Sequence, residues 1–281
     1  EKGDQAEEPQ RPDGGLREKS AVYKHLSVQG TAVVTRDDSL VVRAAAEAPG
    51  SARRVAYGSP AQLQHGEGYR LLDRRVEAEG ATLTIERASG PSIELASPFA
   101  GEAQALDFLC ALACAESVVA PYSTSEMNAA LRDVHLEGRA TVHELADGTV
   151  VIDDSYNANP ASMAASLRTA GEVARHKGAR LVAVLGEMKE LGAYAEQAHR
   201  DLGAHVAAAG VTVLVGCGGL MSEALAAAAK GGVATVDAKD ATEAAILACE
   251  QVYAKDVVLV KASRSVRAEL VVAALLARRA S

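Results

Sequence analysis

From residue 143 onward, short apolar runs alternate with longer segments whose apolar residues recur every three or four positions. The runs at 149–152, 181–185, 211–215, 233–236 and 257–260 are rich in Val, Leu and Ala; their length and composition predict strands buried on both faces. The segments at 160–177, 194–209, 219–229, 241–253 and 266–279 carry helical spacing. Strict strand–helix alternation predicts a parallel sheet covered by helices on both faces, joined by right-handed crossovers. Upstream the pattern changes. A short amphipathic helix is predicted over 17–26, and strands at Thr31–Thr35, Leu40–Ala44, Tyr69–Val76, Ala81–Arg87 and Ser92–Leu95. The last two are joined by a hairpin signal at Ser89-Gly90-Pro91, and helical spacing returns at 102–118 and 124–133. Strands and helices mix there without alternation. Residues 1–16 are rich in acids, Gly, Pro and Gln and are expected to be disordered or a linker. The boundary between the two regimes falls near Glu137-Gly138-Arg139.

Composition narrows the function. Only two phenylalanines and no tryptophan are present, so aliphatic side chains must build the core. With 37 acids against 29 bases the net charge is −8, which argues against a nucleic-acid binder. No apolar run approaches the ~18 residues a membrane span needs, and no signal peptide is visible, so a cytoplasmic protein without a membrane partner is expected. Cys110, Cys114, Cys217 and Cys249 form no C-x-x-C pair and lie in apolar patterns, which points to buried free thiols.

The densest chemistry is Val-Ile-Asp-Asp-Ser-Tyr-Asn-Ala-Asn-Pro at 151–160. Polar groups gather here at the carboxyl end of a strand, where open α/β sheets bind ligands. Asp153 and Asp154 must face opposite sides of the sheet, so one can reach a ligand while the other caps the turn. Asn159 suits the N-cap and Pro160 the first position of the following helix. Lys261 ends another buried strand, where lysine is unusual unless its head reaches a cleft or a partner. Ser263 and Arg264 follow it and could orient a carboxylate, unless the segment is merely a helix start capped by Ser265. Glu187 and Glu190 bracket a loop, and His199 on the next helix is expected to pack or hydrogen-bond there. The glycine cluster Gly216-Cys217-Gly218-Gly219 could offer amides to an anion, but a plain tight turn is the simpler reading.

Asp153-Asp154-Ser155-Tyr156-Asn157-Ala158-Asn159-Pro160 resembles the segment that opens the C-terminal domain of the Mur ligase family. Gly186-Glu187-Met188-Lys189-Glu190-Leu191-Gly192 and Val260-Lys261-Ala262-Ser263-Arg264-Ser265 are similar, in order and spacing, to two further segments of the branch that adds D-Ala-D-Ala to a UDP-N-acetylmuramoyl tripeptide. The resemblance is good over 136–281 and weak over 17–135. It implies a Rossmann-like C-terminal domain at 138–281, preceded by a partial central α/β domain of ATPase type at 17–137. It further implies ATP-dependent amide-bond formation through an acyl phosphate in peptidoglycan precursor synthesis, with ATP and Mg²⁺ as cofactors and UDP-MurNAc-peptide and D-Ala-D-Ala as substrates.

By the same resemblance Arg139, after the hinge glycine Gly138, together with Asp154, Tyr156 and Asn157, would bind ATP, with Asp154 on the ribose. Lys261, Ser263 and Arg264 would hold the amine substrate, and Lys19 corresponds to a lysine that is carbamylated in the family and helps hold Mg²⁺. Several positions depart from the pattern. Thr35 and Ala103 replace an asparagine and a histidine, Gln104 and Asp107 replace two asparagines, and Ala262 replaces a glycine. No G-x-x-x-x-G-K-[ST] phosphate loop occurs in these residues. A P-loop-containing half, covalent or separate, would therefore be needed for turnover. The alternative is a non-catalytic binding or regulatory protein derived from such a ligase.

Overall fold

The computed structural model describes residues 20–77, 80–88, 90–119, 121–132, 134 and 136–278. Lys19, Ser89, the acidic stretch 1–16 and the start of the 17–26 helix lie outside these. The described residues divide into two compact units, one drawn from the ranges 20–74, 83–95 and 105–127, the other from 75–82, 96–104 and 128–278.

The elements upstream of residue 133 are β1 (Thr31–Thr35), α1 (Ser39–Ala45), β2 (Arg53–Gly58), β3 (Gly68–Glu77), β4 (Gly80–Glu86), β5 (Ile93–Ser97), α2 (Glu102–Glu116) and α3 (Thr124–Arg132). The strands form one sheet in sequence order, with β1, β2 and β3 parallel. Leu40–Ala44, predicted as a strand, is helical. Asp38 caps it, accepting from the Leu40 and Val41 amides at 2.8 and 3.3 Å. Such a cap is worth about 1 kcal/mol, and β-branched Val41 and Val42 oppose a helix by only some tenths each. Strand β2 escaped the pattern because two arginines open it.

The second sheet has the order β10-β9-β8-β11-β7-β6, built from β6 (Thr141–Glu144), β7 (Val150–Asp154), β8 (Leu181–Gly186), β9 (Val211–Cys217), β10 (Ala234–Ala238) and β11 (Val257–Lys261). All neighbours are parallel except β6, an antiparallel edge strand on β7 that was not predicted. The connecting helices are α4 (Pro160–Lys177), α5 (Ala195–Ala208), α6 (Met221–Lys230) and α7 (Ala241–Gln251), and α8 (Glu269–Ala277) closes the chain. Alternate strand residues serve two cores. Val150, Ile152, Leu181, Ala183, Leu185, Val257 and Leu259 pack with Met163 and Leu167 of α4, Leu202 of α5 and Met221 of α6. Val151, Val182, Val184, Val258 and Val260 pack with Ala244 and Ala248 of α7 and Val271 and Leu275 of α8. The α/β architecture with helices on both faces is thus the one the apolar runs predicted.

Helix α4 begins as its sequence dictates. Asn159 accepts from the Ser162 amide at 2.9 Å, and Ser162 accepts from the Asn159 amide at 3.1 Å, with Pro160 in the first turn. Gly178 ends the helix in the left-handed region at φ 59°. Asn159→Ala is expected to lower stability by about 1 kcal/mol, measurable as a shift in urea midpoint at unchanged m-value.

Candidate functional site at the carboxyl edge of the sheet

Strand register brings the charged residues of the C-terminal unit together. Lys261 lies beside Asp154 on one side and Leu185 on the other. Because Val150 and Ile152, like Val257 and Leu259, face α4, the next residues in alternation, Asp154 and Lys261, face it as well. The Lys261 ammonium lies 2.6 Å from Asp154 Oδ2 and donates to the Asn157 carbonyl at 2.9 Å. Ser166 of α4 places its hydroxyl 2.5 Å from the same Oδ2. That hydroxyl is also 2.8 Å from the Ser162 carbonyl, but its single proton favours the shorter, charge-assisted contact. Lys261 is only 3% exposed, so its ammonium is held inside the sheet edge rather than offered to a substrate carboxylate. Asp153 faces the other way and accepts from the Ser155 amide at 3.0 Å, closing the turn.

Outside this buried pair stands Tyr156, 44% exposed. The Arg139 guanidinium stacks on its ring at 4.3 Å and Arg264 approaches the same ring at 5.9 Å. The Gly138 carbonyl accepts from the Tyr156 amide at 3.0 Å, and Gly138 has φ 65°. A Cβ there would sit 2.9 Å from the Tyr156 nitrogen, so only glycine brings Arg139 over the ring. Arg139 makes no ion pair among the described residues, whereas Arg264 has a loose one with Glu269 at 3.7 Å. Asn157 is exposed, its side-chain oxygen accepting from the Ala158 amide. The edge therefore presents an aromatic face, two guanidiniums and an amide: the chemistry of a site for a planar base or an anion.

The neighbouring loop after β8 is tied down from several directions. Ser263 is buried and accepts from the Lys189 amide at 2.9 Å. Glu187 pairs with the Lys189 ammonium at 2.6 Å and packs against Gly218, whose Cβ would lie 3.1 Å from it. With a carboxylate already against it, the 216–219 cluster is a tight turn rather than an anion cradle. Burial chiefly pushes the Cys217 thiol up to about 11, with nearby Asp240 adding to it. All four cysteines are free, but only Cys217 is buried; Cys110 and Cys249 are half-buried and Cys114 is exposed, contrary to the expectation that every thiol is buried. Ser265 is not a helix N-cap: it lies within a 3₁₀ turn, Arg264–Val266, and α8 starts only at Glu269.

His199 is fully buried, and its Nε2 accepts from the Met188 amide at 3.0 Å while Nδ1 lies 2.7 Å from the Ala195 carbonyl. These partners require the neutral ring with its proton on Nδ1. His199→Ala would orphan the Met188 amide at a cost of about 1–3 kcal/mol, and a lowered urea midpoint checks it.

Among the positions of the N-terminal unit, Asp37 accepts from the Ser59 hydroxyl and amide at 2.6 and 2.9 Å, and Asp38 is the α1 cap. Thr35 accepts from the Asp37 amide. Ala103 is exposed. No group of three or more His, Cys, Asp or Glu among the described residues can hold a metal ion. Sequence reasoning missed Ser166. Its signal was a serine one helical turn from Met163 and next to Leu167, on the apolar stripe of α4.

Residues 138–264 match the family described as Mur ligase, glutamate ligase domain. This chain carries a Mur ligase C-terminal domain. It is 33% identical over 203 residues to the UDP-N-acetylmuramoyl-tripeptide–D-alanyl-D-alanine ligase of Escherichia coli K12, covering 71% of this chain and 42% of that protein. The Mycobacterium leprae ligase of the same name is 32% identical over 257 residues, covering 86% of this chain and 49% of its own length. The Synechocystis one is 29% identical over 259 residues, covering 92% and 52%. The chain thus spans about half the length of the curated relatives it matches. Among solved structures, MurF from Acinetobacter baumannii aligns with a TM-score of 0.75 at 27% identity, over 94% of this chain and 55% of that one. Thermotoga maritima MurF ligase in complex with ADP aligns at 0.73 and 22% identity over 94% and 57%, a likeness of fold alone. The domain places Arg139, Tyr156, Asn157 and Arg264 along one edge, with Asp154 and Lys261 joined beneath them. Among the described residues no helix is long and apolar enough to cross a membrane.

Proposed function

We propose that this chain is the nucleotide-closing and amine-binding part of an ATP-dependent amide ligase of peptidoglycan precursor synthesis. The observation that carries this reading is the Arg139–Tyr156–Arg264 group standing over the Asp154 carboxylate at the carboxyl edge of the sheet. In this reading residues 138–281 form the C-terminal domain and 17–137 part of a central domain. Tyr156 and Asn157 border the nucleotide, Asp154 accepts from its ribose, and Arg139 reaches its phosphates as the domain closes. The relatives' name supplies the substrates, a UDP-MurNAc-tripeptide and D-Ala-D-Ala. The tripeptide carboxylate attacks the γ-phosphorus of ATP and ADP leaves. The D-Ala-D-Ala amine then attacks the acyl phosphate, forming the amide and releasing inorganic phosphate and a proton. Arg264 is the cation suited to the D-Ala-D-Ala carboxylate, since Lys261 is already paired and Ser263 is buried.

No group of three or more His, Cys, Asp or Glu among the described residues would cage Mg²⁺, and no step here depends on one. Lys19, proposed as the carbamylated lysine, and the phosphate loop belong to the part of the reaction that needs a P-loop-bearing half. The test supplies that half, fused upstream or added as a separate chain, and measures phosphate release. Release that requires ATP, tripeptide precursor and D-Ala-D-Ala together is expected. Nucleotide binding without any release, with all three present, would favour the non-catalytic alternative.

A further inference from the structure

Lys261 and Ser166 both address one oxygen of Asp154. Lys261 Nζ lies 2.6 Å and Ser166 Oγ 2.5 Å from Oδ2. Oδ1 has no protein partner among the described residues, yet the Asp154 side chain retains 11% exposure. A carboxylate with one oxygen doubly held cannot rotate, so the second oxygen points in a fixed direction. Lys261 also holds the Asn157 carbonyl at 2.9 Å, which fixes the backbone just beyond Tyr156. Three elements, β7, β11 and α4, thereby converge on a single acceptor atom and leave its twin for a ligand.

We propose that Lys261 and Ser166 are positioning residues that divide the Asp154 carboxylate, occupying Oδ2 so that Oδ1 is presented to a hydroxyl of the nucleotide ribose. The inference rests on the reading of this edge as a nucleotide site, but it reassigns Lys261 and adds Ser166, which the sequence did not single out. Neither side chain touches the nucleotide; both act through Asp154. A fixed acceptor loses no rotational freedom on binding, which is how a buried neighbour raises affinity without contact.

The experiment compares ADP with 2′,3′-dideoxy-ADP, which lacks the hydroxyls, by calorimetry on the whole chain. The unsubstituted chain should prefer ADP by about tenfold or more, as one charge-assisted hydrogen bond implies. Asp154→Asn should shrink that preference, and Ser166→Ala should shrink it several-fold while leaving dideoxy-ADP affinity unchanged. Ser166→Thr, which keeps the hydroxyl, should restore it. In the Asp154→Asn background Ser166→Ala should add little. Lys261→Met should abolish the preference where the variant folds; Ser166→Ala carries the test if it does not. A preference for ADP that survives Ser166→Ala and Lys261→Met unchanged would overturn the positioning role alone. Failure of the unsubstituted chain to bind either nucleotide would overturn the nucleotide site and this inference with it.

Discussion

Lys261→Met is expected to destabilise the C-terminal unit by about 3 kcal/mol, the lower end of the range for breaking a buried ion pair by removing one partner. The substitution keeps the aliphatic stem and removes the ammonium, so the loss is electrostatic rather than a cavity. Asp154, 8% exposed, then keeps only the Ser166 hydroxyl, among the described residues, as a donor to its carboxylate, and the Asn157 carbonyl loses its cation. The residual exposure of Asp154 softens the penalty, which is why the lower end applies. At roughly 2–4 °C per kcal/mol this corresponds to a fall of about 6–12 °C in Tm. The double variant Lys261→Met with Asp154→Leu should recover much of the loss, because removing both charges also removes the cost of burying them. A single-variant loss below about 1 kcal/mol, the magnitude of a surface pair, would show that the pair is solvated.

Arg139→Ala is expected to act on binding more than on stability. Arg139 is exposed and makes no ion pair among the described residues, and its stacking on Tyr156 contributes about 0.5–1 kcal/mol at an exposed site. On the proposed reading its guanidinium bonds a phosphate, so its loss should instead weaken ADP by about 12- to 150-fold, the equivalent of roughly 1.5–3 kcal/mol. Lysine should not restore it, since an ammonium neither stacks on the ring nor forks onto phosphate. The comparison belongs at fixed ionic strength, because an exposed cation is screened by salt. Equal ADP affinity in Arg139→Ala and the unsubstituted chain would remove the arginine from the site.

The parallel half of the fold was legible because its strands are buried on both faces. Val257–Lys261 and Leu181–Gly186 read as apolar runs whatever their neighbours are. The helix over Pro160–Lys177 was legible to the residue, since Asn159 and Pro160 mark its start by local chemistry alone. Less visible were edge elements such as Thr141–Glu144, where a half-exposed strand carries little apolar signal. At Ser39–Ala45 a cap outweighed β-branched residues. For the site, the decapeptide announced polar chemistry at a strand end, but not which acid faces which partner. Alternation showed that Asp153 and Asp154 diverge. That Asp154 meets Lys261 depends on β11 inserting between β7 and β8, a strand order that no local pattern encodes. Hence Lys261 read as a substrate contact while its ammonium belongs to Asp154.

The central claim is that the edge around Tyr156 is a nucleotide site, and a crystal structure of this chain grown with saturating ADP tests it most directly. The account predicts ADP with its ribose in hydrogen-bond reach of Asp154 Oδ1, bordered by Tyr156 and Asn157, and its phosphates turned toward Arg139. ADP bound elsewhere, with the Arg139–Tyr156 edge bare and accessible in the lattice, would contradict it.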